Sequence, residues 1–425
     1  MRIAVVVQRY GADINGGAEL HARLIAEHLA RRADVEVLTT CARDYISWAN
    51  EWPGGAETIQ GVLVRRFPVI RPRDVRDFGR RSTAVFTRQH SIADELAWLS
   101  SEGPTSPALI KHLARRRREF DWCIFFSYRY YHAFHGSRAV PDRAVLVPTA
   151  ERDAAIGLAI FPPVFRGVRA LMFNSLEERA MIQHVAGAPL PGPVVGIGSN
   201  LPARVEPERF RKQYGLEGPL AIYVGRIDEN KGCRQLFEYM QRYLRTVPAR
   251  LTLVLVGTSV LPVPDHPRIR HLGFLTDQEK FDAMAAASVL VMPSFYESLS
   301  MVTLEAWGLG KPVLVNGRCD VLKGQCLRSN AGLYYESYGE FAEAMHAITS
   351  SDWLSERLGR NGQDYFCRQY AWPVIEGKYM DTLERLEHEA PAASIEPLPG
   401  FFERRQRTAP PANEVVAGIP TGVAR

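Results

Sequence analysis

Two short stretches of this chain bring together charges suited to chemistry on a phosphate-linked group. Arg226 and Lys231 lie in Gly225-Arg226-Ile227-Asp228-Glu229-Asn230-Lys231-Gly232, directly after the apolar run Leu220-Ala221-Ile222-Tyr223-Val224. Glu297 and Glu305 lie in Pro293-Ser294-Phe295-Tyr296-Glu297-Ser298-Leu299-Ser300-Met301-Val302-Thr303-Leu304-Glu305, directly after Val289-Leu290-Val291-Met292. When a bond between a sugar carbon and a diphosphate oxygen breaks, negative charge grows on the diphosphate. Two fixed cations and a helix N-terminus stabilise that charge without a metal. The amides of Ser298 to Met301 would be the free donors of such a helix's first turn. Two carboxylates at the spacing of Glu297 and Glu305 can reach two hydroxyl-rich groups that flank an anion, such as a sugar and a ribose around a diphosphate. The plainer reading stands beside this one. It makes Arg226 and Lys231 a solvated pair at a turn, Glu297 a helix N-terminal charge and Glu305 a solvated face residue.

The elements that must position these groups read as strand, loop and helix in alternation. Val289–Met292 is a buried parallel strand, Leu299 to Trp307 is an apolar-periodic helix ending at Gly308 or Gly310, and Pro312–Val315 is the next strand, which makes a βαβ unit. Near the start, strand Ile3–Val7, the loop Asn15-Gly16-Gly17-Ala18-Glu19, helix Glu19–Ala30 and strand Val35–Thr39 repeat the pattern. Two glycines at a strand-to-helix turn let backbone approach a phosphate, or merely form the turn. Residues 41–82 read as irregular, with a strand pair around Thr58–Phe67. Residues 83–119 read as helices broken at Gly103-Pro104. Strands at Trp122–Phe126, Ala144–Thr149 and Ala170–Phe173 end in polar groups, as one wall of a cleft requires. These ends carry Tyr128, His132, Glu151 and Asp153, followed by a helix cap at Asn174-Ser175. Val194–Gly198 reads as the last strand of the first half.

The alternation in both halves points to an α/β protein with two doubly wound, Rossmann-like domains. The expected division is 1–195 for the first domain, 196–370 for the second, 371–387 for a helix crossing back, and 388–425 for a disordered Pro/Ala-rich tail. A chain of 425 residues fits two or three domains. No run of about 18 uncharged apolar residues exists to span a membrane, and the N-terminal Met1–Val7 reads as a strand rather than a signal peptide. A cytoplasmic protein is expected. The six cysteines form no C-x2-C pair, so reduced and mostly buried thiols are expected rather than a disulfide framework or a zinc site. Net charge is a modest +5, but arginines cluster at Arg71, Arg73, Arg76, Arg80 and Arg81 and at Arg115–Arg118. No nucleic-acid module accompanies them. They form either a solvated face or a surface that meets anionic lipid.

Taken together, Gly225-Arg226, Lys231-Gly232, Gly257, Gly273, the Glu297-to-Glu305 spacing and Gly310-Lys311-Pro312-Val313 resemble the motifs of retaining nucleotide-sugar glycosyltransferases of the GT-B fold, family four. The resemblance spans about residues 3–386. It implies a UDP- or GDP-sugar donor, no metal and no other cofactor, and a saccharide or glycolipid acceptor. It implies that Arg226 and Lys231 hold the leaving diphosphate, that Glu297 holds the donor sugar hydroxyls, and that Glu305 holds the ribose. The amides of Ser298, Leu299, Ser300 and Met301 would contact sugar and phosphate. The backbone at Phe274 and Leu275 would meet the base, with the Phe274 side chain either there or in the core. Gly16 and Gly17 would close over the diphosphate. Retention in this family is ascribed to same-face attack, the leaving phosphate taking the acceptor proton. One departure concerns the acceptor side. Many members carry a histidine at the end of the strand that here runs Ile124-Phe125-Phe126, where this chain has Ser127 and Tyr128. The acceptor-side polar group is then Tyr128, His132, Glu151 or Asp153. The rival reading is a non-catalytic nucleotide-sugar-binding or scaffold protein of polysaccharide assembly. A histidine-dependent epimerase or inverting transferase fits the motifs less well.

Overall fold

The computed structural model describes residues 1–14, 16–247 and 250–390. The expected disordered tail falls almost wholly on 391–425, outside the described residues, as does Asn15. Among the described residues there are two sheets. The first is built from β1 (Arg2–Val6), β2 (Asp34–Thr40), β3 (Gly55–Ile59), β4 (Val62–Phe67), β5 (Trp122–Phe126), β6 (Ala144–Val147) and β7 (Ala170–Leu171), in the order β3-β4-β2-β1-β5-β6-β7. The second holds β8 (Leu220–Val224), β9 (Thr252–Val256), β10 (Ile269–His271), β11 (Val289–Met292), β12 (Val313–Asn316) and β13 (Gly332–Tyr335), in the order β10-β9-β8-β11-β12-β13. All ladders are parallel except β3–β4. Sheets of this kind are covered on both faces by helices, which is why β1, β5, β8 and β11 are continuous apolar runs rather than alternating ones. Ile3, Val5, Ile124, Tyr223 and Val291 are fully buried.

The antiparallel exception is a hairpin whose turn residues Gln60 and Gly61 both have positive φ (51° and 82°). That turn matches strand twist, and it makes β3 an exposed edge. Three expectations change. The stretch 41–82 contains not only this hairpin but the start of a helix at Val75, because the Asp74 side chain accepts from the amides of Arg76 and Asp77. The strand expected at Ala170–Phe173 pairs as a ladder only through Ala170–Leu171. Val194–Gly198 forms no ladder strand. Pro191 and Pro193 supply no amide, and Gly192 (φ 139°) packs so close that a Cβ there would stand 1.7 Å from the Leu171 carbonyl oxygen. The carbonyls of Pro191 and Pro193 accept from the amides of Leu171 and Phe173, the amides of Val195 and Gly196 donate to the Phe173 carbonyl, and the segment joins through a single bridge, Phe173–Val194.

The helix Trp372–His388 packs on the first-domain helix Gly17–Leu29. His28 stacks on Trp372 with ring centroids 3.5 Å apart, and its Nδ1 meets Glu376 Oε1 at 2.7 Å. Arg169 donates to the carbonyl of Leu386 at 2.8 Å. Ile375, Tyr379, Leu383 and Leu386 of this helix are buried. Five of the six cysteines are buried, all six are free, and only Cys367 is exposed. No helix among the described residues is long and apolar enough to cross a membrane.

Candidate active site in the interdomain cleft

The loops beyond the carboxyl ends of both sheets converge on one cleft. In the second domain, β8 ends at Val224 and the chain turns through Gly225 (φ 146°) into the Arg226–Gly232 loop. Asp228, buried, organises this loop. One of its oxygens accepts the Lys231 amide at 2.8 Å, and the other pairs with the Arg226 guanidinium. Gly232 (φ 73°) caps the helix Cys233–Thr246 and lies so close to β11 that a Cβ would stand 2.1 Å from the Pro293 carbonyl oxygen. Asn316, at the end of β12, donates to that same carbonyl at 3.0 Å. The two charged loops are thus locked to one another through backbone.

Lys231 Nζ meets Glu297 Oε1 at 2.8 Å. Burial opposes the ammonium charge, but the carboxylates of Glu297 and Glu151 outweigh it and hold the Lys231 pKa above its ordinary value. Arg226 remains more than half exposed. A mobile cation tied to a buried aspartate beside a fixed lysine is able to receive a diphosphate.

The helix after Glu297 begins later than expected. It spans Met301–Gly308, because Ser300 has φ 71° and stands outside it as the cap. Its free first-turn amides are therefore those of Met301, Val302 and Thr303, while Ser298 and Leu299 belong to the preceding loop. The Ser300 hydroxyl pairs with that of Thr303 at 2.9 Å, and the Leu299 carbonyl accepts from Gln325 at 2.8 Å. Glu305 is not a solvated face residue. It is buried, and its Oε1 takes Lys280 Nζ at 2.9 Å and Ser199 Oγ at 3.3 Å. Burial raises its pKa against the pull of Lys280 and Ser199. Its Oε2 has no hydrogen-bond partner among the described residues. A buried carboxylate oxygen left unpaired in this way is an acceptor for a ligand hydroxyl. Phe274 is 68% exposed, so its side chain is not core, while Leu275 is buried.

On the first-domain side, Gly16 caps the helix Gly17–Leu29 without a side-chain bond, leaving the amides of Gly17, Ala18 and Glu19 at the mouth. A Cβ on Gly16 would strike the Glu19 carboxylate at 2.3 Å, whereas one on Gly17 would meet nothing within 4 Å. Gly16 is thus explained by the buried Arg9–Glu19 pair (2.6 Å) beneath it, and Gly17 is the glycine that faces open space.

The four acceptor-side candidates separate. Tyr128 is buried against Phe161 and Phe165, with its hydroxyl on Asp153 at 3.2 Å. His132 is buried, its Nε2 on the Phe126 carbonyl at 2.9 Å, and burial drives its pKa down to about 4. Asp153 caps the short 3-10 turn Ala154–Gly157 and binds Arg129 at 2.5 Å. All three have structural partners that account for them. Glu151 alone stands in the cleft. Burial first, then the charges of Glu297 and Asp153, raise its pKa to about 7, and Lys231 and Arg129 act in the opposite direction. The charges of Lys231 and Glu297 in the second domain thus act on Glu151 in the first.

Three residues that are not site candidates support the loop that carries Glu151. Glu178, fully buried, accepts the amides of Ala150 and Asn174, each at 2.5 Å. It ties the loop after β6 to the helix Leu176–Ala186. Ser127 (φ 66°) and Thr149 (φ 47°) adopt left-handed backbone at neighbouring strand ends, and their hydroxyls meet at 2.8 Å. For non-glycine residues such conformations persist only when the surroundings impose them. The sequence did contain a cue for each support. Asp228 sits between the two cations, and Glu178 follows the cap Ser175 at the third position of the helix.

Residues 218–351 match the protein family described as glycosyl transferases group 1. Over 188 residues the chain is 24% identical to the alpha-maltose-1-phosphate synthase of Mycobacterium tuberculosis, covering 40% of this chain and 48% of the relative. The chain thus spans about half the length of that curated relative. In structure it is similar to sucrose-phosphate synthase from Thermosynechococcus elongatus, with TM-score 0.67 and 17% identity over 91% of this chain and 99% of that one. It is also similar to HepE of Anabaena, solved in complex with UDP-glucose, with TM-score 0.63 and 16% identity over 91% of this chain and 100% of that one. The second domain thus matches the glycosyl transferases group 1 family over residues 218–351, on a chain with the two-domain GT-B fold.

Proposed function

We propose that this chain transfers a hexose-type sugar from a UDP- or GDP-sugar to a saccharide or glycolipid acceptor, with retention of anomeric configuration. The observation that carries the reading is the Lys231–Glu297 pair at 2.8 Å, with Arg226 held by Asp228 in the same loop. Arg226, Lys231 and the amides at Met301–Thr303 take the charge that grows on the leaving diphosphate, a role that requires no added metal. Glu297 holds sugar hydroxyls, and the open Oε2 of Glu305 holds the ribose. The backbone at Phe274 and Leu275 meets the base, and Gly17 closes over the diphosphate from the first domain. The UDP-glucose complex of HepE, a protein of similar fold, supports a nucleotide-sugar donor.

The acceptor hydroxyl attacks on the face from which the diphosphate departs. Its proton goes to the departing phosphate oxygen, and Glu151, next to Lys231, is placed to orient that hydroxyl. Thermal stability measured against UDP-, GDP-, ADP- and dTDP-sugars tests the donor assignment. A ligand that binds only the folded state stabilises it by about 2.7 kcal/mol at a hundredfold excess over Kd. One nucleotide series should raise the melting temperature in the native chain and fail to do so in Arg226→Ala. Transfer should survive chelation by EDTA. A donor that binds but is neither transferred nor hydrolysed would favour the scaffold reading instead.

A further inference from the structure

The first-domain loops hold a second cavity, of about 390 Å³, that the proposed donor chemistry does not use. It is lined by Trp48, Arg71, Arg73, Arg81, Ser100 and Thr105, among others. These residues follow the carboxyl ends of β2 and β4 or close against them, on the same edge of the sheet as Gly17 and Glu151. In the strand order, β4 stands four places from β6, or about 19 Å at the usual ~4.8 Å spacing. The cavity therefore belongs to the cleft-side edge of the first sheet but lies well away from the reacting centre.

Its charges are unevenly satisfied. Arg73 is bound by the buried Glu102 at 3.0 Å, and Arg81 by Asp77 at 2.7 Å. Asp74 is occupied as a helix cap. Arg71 is exposed and has no partner among the described residues. Outside the cavity lining, on the segments that carry Trp48 and Arg71 to Asp74, Ile46 (60% exposed), Ile70 (63%) and Val75 (54%) are exposed. The two segments are joined at Arg73, whose amide donates to the Ser47 carbonyl at 2.5 Å and whose guanidinium donates to the Tyr45 carbonyl at 3.3 Å. Exposed isoleucines beside an unpaired arginine suit a ligand with an anionic head and an apolar body. The floor of the cavity is joined to the acceptor wall. Glu102 also pairs with Arg129 at 3.0 Å, and Arg129 with Asp153, two residues beyond Glu151.

We propose that this cavity receives the phosphate of an amphiphilic acceptor, Arg71 binding the phosphate and the apolar chain lying across Ile46, Ile70 and Val75. The term acceptor rests on the transferase reading, but the site does not, and the two are tested separately. Calorimetry on the full chain, without donor, would use octyl phosphate below its micelle concentration, inorganic phosphate and octyl glucoside. Octyl phosphate should bind at least tenfold more tightly than either of the others. Arg71→Ala should weaken it roughly tenfold, the scale of a charge-assisted bond. Ile70→Ser should weaken octyl phosphate several-fold and leave inorganic phosphate unchanged. Equal binding of octyl glucoside and octyl phosphate would overturn the proposal, as would no binding or indifference to Arg71→Ala. Cosedimentation with phosphatidylglycerol vesicles in the absence of octyl phosphate binding would also overturn it, in favour of a general lipid surface. Octyl phosphate binding by a chain that shows no donor-induced stabilisation would leave this site standing and remove only the transferase reading.

Discussion

At the scale of residues, the cleft is governed by competition between burial and neighbouring charge. Glu151 has its acidity weakened to near pH 7 because burial and two carboxylates outweigh Lys231 and Arg129. If the ionised form orients the acceptor hydroxyl, kcat/KM should rise as pH increases through about 7 and then level. Glu151→Gln should lower the plateau and flatten that limb, which a pH profile of initial rates would show. Glu178 presents the same competition without solvent. Two backbone amides favour its ionised form, yet complete burial prevails and its pKa stands at about 8. The folded pKa is above the unfolded one, so its contribution to stability is full below about pH 4.5 and is lost as pH rises through 8. Glu178→Ala leaves two buried amides unpaired and should cost about 2–4 kcal/mol in chemical denaturation. It should also lower the apparent pKa of the kcat/KM profile, because the loop that carries Glu151 would relax toward water. A purely structural role would change stability and leave that pKa in place.

At the scale of elements, the phosphate loop depends on a contact between backbones rather than on side chains. Gly232 combines left-handed φ with a carbonyl oxygen where a Cβ would sit. Gly232→Ala must push β8's loop away from Pro293, separating Lys231 from Glu297. We expect a stability loss of at least about 1–3 kcal/mol together with a rise in donor Kd, read by titration of the donor against intrinsic fluorescence. Gly17 offers the contrast. Its Cβ position is open, so Gly17→Ala should leave the melting temperature within a degree or two of the parent. It should weaken the donor, because the added methyl group would occupy the space proposed for the diphosphate. The βαβ order of these elements could be read directly, since continuous apolar runs followed by Gly-containing loops admit few alternatives. The exact start of the helix after Glu297 could not. Ser300 gives no propensity signal for left-handed backbone, and its conformation is set by packing around Leu299 and Gln325.

At the scale of the whole molecule, the helix Trp372–His388 links the two domains, and its cost of removal is calculable. Ile375, Tyr379, Leu383 and Leu386 are each 0–1% exposed. Each large apolar side chain returned to water costs about 1.5–3 kcal/mol. Truncation before Trp372 should therefore cost about 6–12 kcal/mol, comparable to the roughly 5–15 kcal/mol stability of a whole domain, and yield aggregation or separate melting of the halves in calorimetry. Interdomain pairs near the cleft, Arg328–Glu177 (2.5 Å) and Arg152–Asp320 (3.4 Å), are partly exposed and contribute little by comparison.

The amino-acid order by itself determined the two-sheet α/β architecture, the loops carrying Arg226, Lys231 and Glu297, and the free thiols. Those features rest on local periodicity and on glycines whose neighbours in sequence are also neighbours in space. Only the tertiary structure separated Tyr128, His132 and Asp153, whose polar groups have structural partners, from Glu151. All four follow apolar strands, and their types alone cannot say which one meets the opposite domain. It also showed that Asp228 and Glu178 are the supports of the site and that Glu305 is buried with one oxygen open. Burial and the partners reached across more than a hundred residues set the charge and direction of a side chain, and neither is written in its immediate sequence.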